Sequence, residues 1–301
     1  MVAEPGAPPG GQVSLILNAD DLGAFHGVNR GIAECAEVGA ISSASMVANL
    51  PGFDDACERL RRGLPLSLGV HLNFTLGSPL LPAREAGLLC GRGGSFPGPL
   101  ALAGRLLLGG SSLLGPLERE ARAQIERILS AQPAPLWHLD VHHHLHALPR
   151  MLEVLVRLAV EYRIPAMRHP REELLWGAGG GGLPWRALLL RRLGGRAPAR
   201  IAAAGLRTPD ALYATLLTAS RDFARTLRSV IRRLKPGVSE IALHPGYSSP
   251  ELERMDSYHR QREEELRALL GRGMREALGA RGVKIVSYRE LAEAPCKGQA
   301  G

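Results

Sequence analysis

The sequence predicts an α/β protein built as a (β/α) barrel, seven-stranded and incompletely closed. Three observations lead there. Short apolar runs alternate with amphipathic helical patterns, and strands alternating with helices imply a parallel sheet, because a parallel return needs a crossover. Nearly every apolar run ends in polar residues fit for a site, and in parallel barrels such residues converge at the C-terminal ends of the strands. An open doubly wound sheet would gather them at one switch point instead. The length, 301 residues, suits a barrel, which typically runs to about 250 residues with room for insertions.

The elements follow in order. Residues 1–12 are rich in Pro and Gly, with one acid and no basic start, and read as a flexible tail rather than a signal peptide. Val13 to Asn18 reads as a buried strand running into Ala19-Asp20-Asp21-Leu22-Gly23, where a turn at Gly23 would let both carboxylates reach one cavity. A helix at about 25–38, a strand at 44–48 ending at Asn49, and a helix at 52–62 come next. Leu66-Ser-Leu-Gly-Val70 is the third strand and leads into His71-Leu72-Asn73. Residues 76–116, rich in Gly, Pro and Leu, then interrupt the alternation as an insertion. A helix at 117–131, a strand at 136–142, a helix at 150–162 and a strand at 164–168 ending in Arg168 and His169 resume it. A second insertion covers 171–208, with a further strand near 212–216. A helix at 220–234, a strand at 239–243 ending at His244, one helical pattern at 251–278, a strand at 283–287 and a helix at 288–293 complete a single domain over 13–293. Residues 294–301 read as a second tail.

Composition narrows the class. Hydrophobic content of 45% with 22% charged residues is globular, not disordered. No apolar run reaches membrane-spanning length. Cys35, Cys57, Cys90 and Cys296 lack metal-ligand spacing, so reduced thiols in a cytoplasmic protein are expected. The net charge of +8 comes mostly from Arg186 to Arg207, which holds six arginines and no acid after the glycine run at 177–182. No nucleic-acid module or interleaved aromatics accompany it, so a solvated face is expected rather than a nucleic-acid site. A lid or a homodimer contact are further uses open to this stretch.

The densest chemistry lies in His138-Leu-Asp140-Val-His142-His143-His144-Leu-His146, five histidines and one aspartate in nine residues. An extended backbone would project His138, Asp140, His142, His144 and His146 to one face. Neutral imidazole is the commonest protein metal ligand, and a neighbouring carboxylate fixes its tautomer. One carboxylate and two imidazoles with open positions describe a catalytic divalent metal site, where water is acidified and a carbonyl polarised. A second carboxylate beside it can act as general base, and Asp20 and Asp21 supply one of each role. Asp140 would orient His142 or His71. His244 would donate a proton to a leaving nitrogen, or only pack ahead of Pro245. Arg168 would hold a carboxylate or steady an oxyanion, or form a plain ion pair. Asn73, two residues beyond His71, is a substrate-side or supporting candidate.

These residues carry a resemblance. Asn18-Ala-Asp20-Asp21-Leu-Gly23, Gly69-Val-His71, the histidine-rich segment and His244-Pro245 resemble the YdjC-like (ChbG) carbohydrate deacetylases, in order, over about residues 13 to 292. The resemblance implies a barrel-like fold and metal-dependent removal of acetyl groups from N-acetylated sugars, with chitin-derived oligosaccharides as substrates of some members. It makes Asp20 the proton acceptor and Asp21, His71 and His142 the ligands of one divalent metal ion, magnesium or zinc. Two positions depart from the usual pattern. Leu22 stands where members commonly have Phe, and Val141 where they have Ser. Both changes spare the ligands and bear on substrate preference. Other acyl or phosphoester substrates, or a barrel that binds without turnover, are the alternatives.

Overall fold

Eight parallel strands carry the architecture: β1 (Val13–Leu22), β2 (Ser43–Met46), β3 (Ser67–Leu72), β4 (His138–Val141), β5 (Ala166–Met167), β6 (Ala211–Tyr213), β7 (Gly237–Leu243) and β8 (Lys284–Ile285). The computed structural model describes residues 11–91, 93–108, 111–132, 134–169, 171–175 and 185–295. The two expected tails fall largely on 1–10 and 296–301, outside the described residues, as do Cys296 and the glycine run at 177–182.

The strands run β5-β4-β3-β2-β1-β7-β6 across the sheet, with β8 beside the first residues of β1. Between the two outer strands there are, among the described residues, only isolated bridges to flanking residues, Ala166 of β5 with Arg207 and Leu212 of β6 with Glu172. The ring of seven strands is therefore incompletely closed, as the sequence predicts. Leu15, Leu17 and Ala19 of β1 join the large core under the helices, which present spaced apolar residues such as Val28, Ile32, Cys35 and Ala36. The alternate residues Ile16, Asn18 and Asp20 share the other face. Ile16, Ala166, Val286 and Tyr288 form a separate apolar cluster there, with the polar residues Asn18 and Asp20 further along β1.

Three expectations need correction. The helical pattern at 251–278 is three helices, Pro250–Met255, Arg260–Leu270 and Arg272–Arg281, because Asp256 and Gly271 are extended. The first break turns Arg262 toward β1, where its side chain meets Asp21. The insertions are not plain excursions: 76–116 holds the helix Pro99–Leu108, and 171–208 holds Trp185–Leu193 and Ala197–Ala203. Part of the basic stretch is ion-paired, Arg191 with Glu173 at 3.1 Å and Arg200 with Glu153 at 2.9 Å. Last, the histidine-rich segment is not one strand. Strand β4 stops at Val141 and a tight helical turn covers His142–Ala147, with His143 and His144 at positive φ. That kink removes the single histidine-bearing face. Among the described residues, no helix is long and apolar enough to cross a membrane.

Candidate active site

The register of the sheet brings the site together. Ala19 lies beside Leu243 and Ala44, so the next residues, Asp20, His244 and Ser45, meet at the strand ends; His71 lies directly beside Asp140. Between Ala19 and Leu22 the pairing of β1 with β2 shifts, and Asp21 takes φ 69°. A bulge of this kind re-aims side chains, and a non-glycine residue at positive φ marks strain kept for a site. Here it lets two consecutive aspartates reach one cluster, and Gly23, where the sequence places the turn, takes φ 92° just after. Gly69 has its own reason to be glycine, since a β-carbon there would overlap the His138 ring.

Asp21 Oδ1 lies 3.4 Å from His71 Nε2 and 3.8 Å from His142 Nε2. These three buried groups are close enough to share one metal ion, and His71 Nε2 has no hydrogen-bond partner among the described residues. A buried, unpartnered nitrogen is costly unless something fills the place it faces. The donor set, one carboxylate oxygen and two imidazoles, is one that can hold a divalent ion. Each ring is held from behind: His71 Nδ1 is 2.6 Å from Asp140 Oδ1, and His142 Nδ1 is 2.8 Å from the Thr75 hydroxyl. With the proton on Nδ1 of His142, that hydroxyl accepts it and Nε2 is left free for metal. Burial brings His142 down to about 4, so it is neutral and ready to ligate. Burial alone would lower His71 too, but Asp140 and Asp20 raise it to about 9. A metal ion held at His71 would have to displace that proton.

Asp20, Asp140 and His71 form a second close acidic group, but a cation already sits there. Arg168 grips Asp20 with both Nη atoms at 2.6 and 2.7 Å, Asp140 at 2.7 Å and Glu240 at 2.8 Å. Burial alone would raise the Asp20 carboxyl, yet Arg168 with His71 and His244 holds it well below the usual carboxylate range. Burial wins at Glu240, which is pushed up to about 7. Oδ1 of Asp20 accepts from Asn18, Ser45 and Arg168, whereas Oδ2 accepts from Arg168 alone and faces His244 Nε2 at 3.8 Å. A carboxylate oxygen has room for a second partner. Among the described residues, Oδ2 is the Asp20 oxygen with fewer donors. On its far side His244 Nδ1 lies 3.8 Å from Glu265. Burial would lower His244, but Glu265, Asp20 and Asp21 raise it above the ordinary histidine value.

A model of the YdjC-like protein family matches residues 14–280. The chain belongs to the YdjC-like family. A carbohydrate deacetylase of Geobacillus stearothermophilus is 32% identical over 92% of this chain and 97% of its own length. A carbohydrate deacetylase of Brevibacillus brevis is 30% identical over 93% of this chain and the whole of its own. Among solved structures, a crystal structure from Enterococcus faecalis V583, provisionally assigned as a cellobiose-phosphate cleavage protein, superposes with a TM-score of 0.71. It has 25% identity and covers 93% of this chain and 99% of its own.

Within this YdjC-like fold the expected residues separate. Asp20, Asp21, His71, His142, Asp140 and His244 come together. Arg168 joins them with its buried guanidinium bound to Asp20, Asp140 and Glu240, the ion-pair alternative of the sequence reading. Asn73 does not face the cluster as a substrate contact: its side-chain oxygen accepts from Thr75 and Leu76 and its nitrogen donates to Asn49 and Leu76. It holds the turn that presents Thr75 to His142. His138 stacks on Tyr288, with ring centroids 3.7 Å apart, and burial lowers it to about 3. It is not a ligand candidate. Ser45, Thr75, Glu240, Arg262 and Glu265 were not singled out from the sequence. Only Glu240, an acid inside an apolar strand, carried a signal that could have found it.

Proposed function

We propose that this chain is a metal-dependent carbohydrate deacetylase that hydrolyses the acetamido group of N-acetylated sugars, N-acetylglucosamine-containing oligosaccharides above all. The observation that carries this is the meeting of the Asp21, His71 and His142 donor atoms beside Asp20 Oδ2 and His244 Nε2. The likeness to carbohydrate deacetylases along nearly the whole chain supports it.

Asp21, His71 and His142 would hold one divalent ion, zinc or magnesium. Such an ion acidifies water and polarises the acetamide carbonyl. Asp20, kept ionised by Arg168, takes the proton of the attacking water at Oδ2. His244, favoured in its protonated form by the carboxylates around it, gives a proton to the amine nitrogen as the carbon–nitrogen bond breaks. Acetate and a free amino sugar are the products.

The test is acetate release by metal-reconstituted protein from a panel of N-acetylated mono- and oligosaccharides. Release from at least one sugar, with an equal yield of free amine, is the expected result. Turnover of a phosphoester or another acyl group in place of acetate, or bound sugar with no turnover, would overturn it.

A further inference from the structure

Arg262 stands 241 residues from Asp21 in sequence, yet its Nη2 is 2.7 Å from Asp21 Oδ2. It reaches there from the first turn of the helix Arg260–Leu270, and only 2% of the residue is exposed. The same guanidinium is fixed from two further directions, Nε by the Tyr258 carbonyl at 2.8 Å and Nη2 by Asp256 at 3.2 Å. Its Nη1 is buried without a hydrogen-bond partner among the described residues. The two oxygens of Asp21 thus have different tasks. Oδ2 is on Arg262, while Oδ1 faces the Nε2 atoms of His71 and His142.

We infer that Arg262 is a positioning residue that restricts Asp21 to one oxygen as a metal ligand and offsets its charge. The inference rests on the metal-dependent function proposed above. Carboxylates bind cations through one oxygen or two, and a catalytic centre needs positions left open for water and substrate. An arginine locked on Oδ2 keeps the second oxygen out of the coordination shell. Without it, Asp21 is free to turn and offer both oxygens. Metal would then be held at least as well, in a shell with less room for the attacking water.

The probe is cobalt(II), whose visible absorption responds to coordination number and geometry. Arg262→Met removes the donors at similar length but leaves Asp256 without its partner. The paired variant Arg262→Met with Asp256→Asn is therefore measured alongside, so that a folding failure of the first does not end the test. The expected result is cobalt bound at wild-type affinity or tighter, a changed visible spectrum, and kcat for acetate release lowered by about 10–100-fold with little change in KM. Arg262→Lys, which returns a cation to Oδ2, should restore the wild-type spectrum. An unchanged spectrum with cobalt bound, or loss of cobalt binding with a lowered melting temperature, would show a merely structural arginine and overturn the inference while leaving the metal centre standing. No cobalt uptake by the wild type would overturn the metal centre and the inference together.

Discussion

Asp20→Asn lowers acetate release by about 10²–10⁴-fold, the range a general base contributes, while metal stays bound. The variant is nearly isosteric, so its effects follow from two atoms. The amide oxygen keeps the place of Oδ1, where Asn18, Ser45 and Arg168 donate to it. The amide nitrogen then takes the place of Oδ2, the oxygen with room for a proton, and faces Arg168 Nη1 donor to donor. Such a buried mismatch costs about 1–3 kcal/mol of stability. Asp140 and Glu240 still pair Arg168, so the fold survives and the assay compares folded proteins. None of the three metal donors is touched. Single-turnover acetate measurements at matched metal occupancy check it, and turnover within about tenfold of the wild type would place the base elsewhere.

Arg168→Met destabilises the protein by about 3–5 kcal/mol, the usual cost of removing one partner from a buried ion group. Three buried carboxylates, Asp20, Asp140 and Glu240, lose their shared cation. The pH dependence separates this from a simple packing loss. In the wild type, Asp20 and Asp140 titrate below the ordinary carboxylate range. Their contribution to stability is therefore present at neutral pH and is lost as pH falls through the depressed values. In the variant, burial without a cation raises both above that range. Their sign reverses: the folded state is favoured in acid and loses stability as pH rises. The gap in melting temperature between the two proteins should widen from pH 4 to pH 8, measured with chelator present. A constant gap would mean that Arg168 acts through packing alone.

The strands were legible because their apolar runs are short and end in polar residues, and all eight fall where the pattern put them, the short β6 included. What could not be read was the backbone at the site. Asp21, His143 and His144 take positive φ; Asp and His adopt that region more often than most residues, but nothing in their spacing says which of the many here will do so. Alternation in the histidine-rich segment therefore suggested a single face where the chain in fact turns. The ligand candidates were legible for a different reason, since Asp and His at strand ends point to metal chemistry whatever the loop does between them. Their supports were not. Ser45 and Thr75 are ordinary residues in ordinary places, and Arg262 looks like one charge among many on a polar helix. Each gains its role through a contact between distant parts of the chain, Thr75 with His142 and Arg262 with Asp21.

The most direct measurement is the number of divalent ions bound per chain, by zinc titration of the wild type, His71→Ala and His142→Ala after chelation. One tightly bound ion in the wild type, lost or greatly weakened in both variants, is the predicted result. Equal occupancy in all three would contradict the assignment of Asp21, His71 and His142 as the metal centre, and with it the chemistry built on them.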